Sequence, residues 1–125
     1  MSTSSVLAYT AAALIAAWGV AHAIPTRAVV AGFNPISRDN RLVITQEWLV
    51  EALAMWFIAA IVIVPTAIAG PGDATTWIYR TAAVTLLAIG TLTAATGART
   101  PVVWFKICPV LLASAATLLL VASFL

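Results

Sequence analysis

The stretch from Asp39 to Thr66, DNRLVITQEWLVEALAMWFIAAIVIVPT, decides the fold. Its first turns are polar and carry two glutamates, Glu47 and Glu51. From Ala52 to Val64 every residue is apolar. A helix that crosses a bilayer needs about 20 mostly apolar residues, and this segment supplies them behind a polar entrance. Ser37, Asp39 and Asn40 can each accept bonds from free N–H groups at a helix start. Pro65 and Gly70-Pro71-Gly72 mark its end. The expectation is a membrane-spanning helix over 39–66.

Working outward, three more segments read the same way. A first helix is predicted over 6–24, ended by Pro25-Thr26, because proline disfavours helix in the residue before it. Residues 27–37 form a loop broken by Gly32 and Pro35. Val29, Val30, Phe33 and Ile36 suit that loop to the membrane interface. A third helix is predicted over 75–96. A fourth is predicted over 101–124, with Thr100 as cap and Pro101 at the first helical position. Pro109 should kink it and free the carbonyl of Phe105. Small residues (Ala12, Ala16, Ala83, Ala94, Ala113 and Ala116) suit close helix packing in lipid. The predicted fold is all-α, an integral membrane antiparallel four-helix bundle, with residues 1–125 as a single transmembrane domain.

Composition agrees. Of the 125 residues, 63% are hydrophobic and 8% charged, whereas a soluble domain is about a quarter charged. Ala21-His22-Ala23 has the small-x-small pattern of a signal-peptidase site. Met1 to Ser5 contain no Lys or Arg, however, and a secretory signal normally carries one. The first helix is therefore expected to be retained. The net charge of +2 does not suggest a nucleic-acid partner. Cys108 is the sole cysteine, so neither an internal disulfide nor a paired-cysteine metal site is available.

Basic residues predict the orientation. Arg27, Arg38 and Arg41 fall in the first connection, and Arg99 in the third with Lys106 just beyond it. The N-terminal tail has none, and the second connection has only Asp73 before Arg80. Connections one and three share a side, which should be cytoplasmic. The predicted location is the cell inner membrane, multi-pass, with both termini outside. Arg80 reads as an outer anchor near Asp73.

This topology gathers ionisable groups at one depth. His22 ends the first helix. Glu47 and Glu51 begin the second, four apart and so on one face. Asn40 extends that face, Lys106 opens the fourth helix, and Gln46 and Thr96 lie nearby in depth. Glu51 is the hardest to explain by anchoring. If the helix enters hydrocarbon near Thr45, Glu51 lies about 9 Å deeper at 1.5 Å per residue. Ionised groups at the bilayer centre cost about 2.5–3.5 kcal/mol on insertion scales, so Glu51 should face inward and find His22 or Lys106. Carboxyl groups beside an imidazole form a set suited to proton transfer. The candidate catalytic residues are Glu51, Glu47 and His22. The candidate ligand-binding residues are Asn40, Trp18, Trp48 and Lys106.

Each has a plainer role too. His22 could be a satisfied interfacial group and Glu47 a headgroup residue at a helix N-terminus. Lys106 could snorkel, and the tryptophans could form interface belts. No Glu-x-x-His pair of the kind found in bundle metal sites occurs. A single histidine excludes bis-histidine haem within the chain, and there is no nucleotide loop. No metal or cofactor is expected.

The stretch Gly19-Val20-Ala21-His22-Ala23-Ile24-Pro25-Thr26, with Asp39-Asn40-Arg41 and Gln46-Glu47-Trp48, resembles uncharacterised DoxX-like small bacterial four-helix membrane proteins. The resemblance covers roughly the first half of the chain and implies no site residues. Small multidrug transporters have a similar size but rely on a glutamate in their first helix, which this chain lacks.

The expected function is binding of a lipid or other apolar small molecule at a Glu/Glu/His site near the cytoplasmic leaflet. The expected chemistry is acid/base: isomerisation, cyclisation or epoxide opening. The alternatives are an accessory subunit of a membrane redox or transport complex, or a proton-coupled carrier. The first alternative implies a larger membrane complex, and the second a homo-oligomer, because four helices enclose little space.

Overall fold

A computed structural model describes all residues from Met1 to Leu125. The order of elements is α1 (Thr3–Ala23), α2 (Thr26–Ala31), α3 (Arg38–Ile68), α4 (Asp73–Ala95), a 3-10 turn (Gly97–Arg99) and α5 (Val103–Ala122), with no strand. The four long helices α1, α3, α4 and α5 form an all-α bundle, and each is long and apolar enough to cross a membrane.

Local chemistry sets the ends. Ser2 caps α1, its hydroxyl accepting from the Ser5 N–H at 3.1 Å. Ser37 caps α3 by accepting from the Asn40 N–H at 3.1 Å. Three boundaries differ from expectation. Pro65 does not stop α3, which runs on to Ile68. It removes one ladder bond, but its own carbonyl accepts from the Ala69 N–H at 2.9 Å. Gly70, at φ 66°, then turns the chain in a conformation glycine adopts freely. The interface loop contains α2, with Val30 buried. The fourth helix starts at Val103 rather than Pro101, because the 3-10 turn occupies the residues before it and Thr100 closes that turn on the Gly97 carbonyl at 2.7 Å.

The core is a set of apolar stripes at helical spacing. α1 contributes Ala8, Ala11, Ala12 and Ile15; α3 contributes Met55, Ile58, Ala59 and Val62. α4 adds Tyr79, Ala82, Ala83 and Leu86, and α5 adds Cys108, Leu112, Ala115, Ala116 and Leu119. Alanine dominates, so the backbones approach closely. Of the small residues expected inside, Ala12, Ala83 and Ala116 are buried, Ala16 is half-buried, and Ala94 and Ala113 are exposed. The outer faces are apolar too: Phe57, Val84, Leu92 and Val110 all lie exposed. That combination suits helices solvated by lipid rather than water.

The helices are not evenly joined. α1 packs on α3 and α5, and α5 on α4, while α3 and α4 meet far less. At one end, the Tyr79 and Thr66 hydroxyls lie 2.7 Å apart and tie α3 to α4. The Ser4 hydroxyl donates to the Ala122 carbonyl at 2.7 Å, so both chain termini lie at that end. Arg80 is there as well. It is not paired with Asp73. It donates to the Ser123 hydroxyl at 3.3 Å and lies over the rings of Trp77 and Phe124. At the opposite end the bundle encloses a cavity.

Candidate functional site

The cavity has a volume of about 640 Å3, within the range usual for small-molecule sites. All four long helices wall it. α1 supplies Trp18, Ala21 and His22; α3 supplies Trp48 and Glu51; α4 supplies Ile89, Thr93 and Thr96; α5 supplies Trp104, Phe105 and Cys108. Pro25 and Val29, at and within α2, close one side. The walls are mainly apolar.

His22 sits in the last turn of α1, where the helix leaves its final carbonyls without partners. Trp48 supplies one. Its indole N–H donates to the His22 carbonyl at 2.8 Å. The bond is reciprocated: His22 Nε2 lies 3.1 Å from the Trp48 carbonyl. The two rings stack at 4.0 Å and 15°. Phe105 meets Trp48 edge-on at 6.0 Å. A carbonyl only accepts, so these partners place a hydrogen on Nε2. Nδ1 makes no bond within the chain and is the nitrogen left to take up a proton.

Glu51 stands one turn deeper on α3 than Trp48. Its Oε2 lies 3.4 Å from His22 Nε2, the only contact in the protein between an acidic and a basic side chain. The imidazole is 9% exposed and the carboxylate side chain 36% exposed, so the pair is buried on the histidine side and open on the glutamate side. The Trp18 indole nitrogen, one turn before His22, is the only buried side-chain polar atom with no hydrogen-bond partner.

Of the sequence-predicted residues, the structure brings together His22, Glu51, Trp18 and Trp48. It does not bring in Glu47, Asn40 or Lys106, which are exposed and outside the cavity wall. Glu47 is one residue from Trp48, and on a helix that is a rotation of about 100°. Lys106 is rotated off the α5 stripe of Phe105, Cys108 and Leu112 in the same way, and it pairs with no acid. The residues the sequence reading missed are Thr93, Phe105 and Cys108. The stripe from Cys108 to Leu119 marks the inner face of α5, and extending it backwards by helical spacing finds Phe105. No group of three His, Cys, Asp or Glu side chains converges in a way that could hold a metal ion.

Fold and site together define a four-helix bundle, its helices long and apolar enough to span a membrane, with an apolar, ligand-sized cavity at one end. Compared with known protein families, curated proteins and solved structures, the chain matches none.

Proposed function

We propose that this is a multi-pass membrane protein that binds an apolar small molecule in the cavity and exchanges a proton with it through His22 and Glu51. The observation that carries the reading is a single one: the protein's only imidazole–carboxylate contact lies in the wall of a ligand-sized apolar cavity. An apolar chamber excludes water and positions the ligand, and a polar pair in its wall orients it. Trp48 fixes the imidazole through ring stacking and the reciprocal bonds. Glu51 brings a carboxylate to 3.4 Å from Nε2, and Nδ1 is free to accept or return a proton. The chemistry this suits is isomerisation, cyclisation or epoxide opening.

Arg27 in α2, Arg38 and Arg41 in the first turn of α3, and Arg99 in the 3-10 turn all lie at the cavity end. By the positive-inside rule that end is cytoplasmic and the termini face outward. The apolar ligand would then enter from the inner leaflet, between α3 and α4, which are joined mainly at the far end. The DoxX-like resemblance of the first half of the chain fits this picture.

The test is Glu51→Gln, which keeps size and removes charge. Membranes carrying the native protein should show conversion of an apolar metabolite that membranes carrying folded Glu51→Gln do not. Equal conversion by both would overturn the proton-transfer reading.

A second reading, a subunit of a larger membrane assembly, is favoured by a shallow groove on the outer face of α4 and α5. Gly90, Ala94 and Ala113 help line it, and such small-residue surfaces accept another helix. Native mass spectrometry after gentle extraction should then show a complex; a bare monomer would contradict it.

A further inference from the structure

We infer that the apolar molecule held in the cavity carries a positive charge, as an amine in its ammonium form. The inference rests on the cavity reading above and names the ligand class for the same site.

Charge is the first ground. Glu51 is the only carboxylate in the cavity wall, and none of the six Lys and Arg residues lines it. An ionised carboxylate offers roughly four acceptor positions. Here it has no hydrogen-bond donor within the chain: His22 Nε2 lies 3.4 Å away, but the bond of that nitrogen goes to the Trp48 carbonyl. With His22 neutral, the chamber holds one uncompensated negative charge among apolar walls. The carboxylate opens onto the cavity; a charge left unpaired beside apolar walls is unfavourable, and an ammonium group supplies both the opposite charge and an N–H donor.

The wall itself is the second ground. Trp18, Trp48, Trp104 and Phe105 all line the cavity. Cations are attracted to the faces of aromatic rings, tryptophan best. One face of Trp48 is taken by His22, and the remaining rings line the same cavity as Glu51. A neutral alcohol could bond to the carboxylate but would leave its charge unbalanced. An anion would be repelled. An apolar amine satisfies the carboxylate, the rings and the hydrophobic volume at once.

The experiment uses the full chain in nanodiscs of neutral phospholipid, titrated with N,N-dimethyldodecylamine and with 1-dodecanol at neutral pH. Tryptophan emission is the readout, because three of the five tryptophans line the cavity. The amine should bind at least about tenfold more tightly than the alcohol, the scale of a charge-assisted bond. Glu51→Gln should abolish that preference. Equal affinities in the native protein, or a preference that survives Glu51→Gln, would overturn the ammonium inference and leave the apolar cavity standing. Binding of neither compound would overturn both. Trp104→Leu tests the aromatic wall and leaves Glu51 and His22 in place. It should weaken the amine about threefold more than the alcohol; equal effects on the two would contradict the inference.

Discussion

His22 is held by an unusual number of constraints for one side chain. Its ring stacks on Trp48, its Nε2 faces the Trp48 carbonyl, and its own carbonyl receives the Trp48 N–H. Trp48→Phe keeps a ring for stacking but deletes that donor, leaving a helix-end carbonyl unpaired. We expect destabilisation of about 1–3 kcal/mol, measured by denaturant titration in detergent. Glu51 is legible in the sequence because its energetics are odd: a short acid deep in an apolar helix has to face inward. Trp18 is legible from its spacing, one turn before His22. Glu47 and Lys106 are misplaced by sequence for one shared reason. Topology gives the depth of a residue but not its angle about the helix axis, and a one-residue offset turns a side chain from the cavity to the surface.

At the scale of elements, the close approach of α1 to α3 depends on Gly19. A Cβ there would lie 2.7 Å from the Trp56 indole nitrogen and 3.1 Å from the Met55 Cβ. Trp56 is also bonded to the Ala16 carbonyl, at 3.2 Å. Gly19→Ala gains helix propensity of about 1 kcal/mol, but it must displace a bulky ring and push α1 away from α3. Overpacking costs about 1–3 kcal/mol, so the net effect should be a lower unfolding midpoint. A raised midpoint by thermal denaturation would show that α1 and α3 have slack. The long helices are readable because each is a run of apolar residues bounded by Pro or Gly. α2 is not. Six residues cannot offset the nucleation cost alone, and α2 exists because Val30 is buried. Pro65 shows the converse: a breaker one turn from a helix end costs a single bond, and the helix continues past it.

At the scale of the whole molecule, a bundle tied at one end and open at the other is what gives a chain of this size an internal chamber. The Thr66–Tyr79 tie is the polar link between α3 and α4. Tyr79→Phe should cost about 0.6 kcal/mol, typical of hydrogen bonds between membrane helices, because Thr66 can still donate to the Val62 carbonyl. A much larger loss in an unfolding assay would mean that this contact alone closes the bundle. Sequence reading reaches the bundle and the polar end of it. It does not reach the chamber, which depends on how the ends of all four long helices sit around it. The most direct test of the account is therefore occupancy. Native protein and Thr93→Trp, which fills the chamber from α4, would be extracted gently from the same membranes and their bound small molecules compared by mass spectrometry. The account predicts an apolar molecule present with the native protein and absent from folded Thr93→Trp. Identical molecules on both would contradict it.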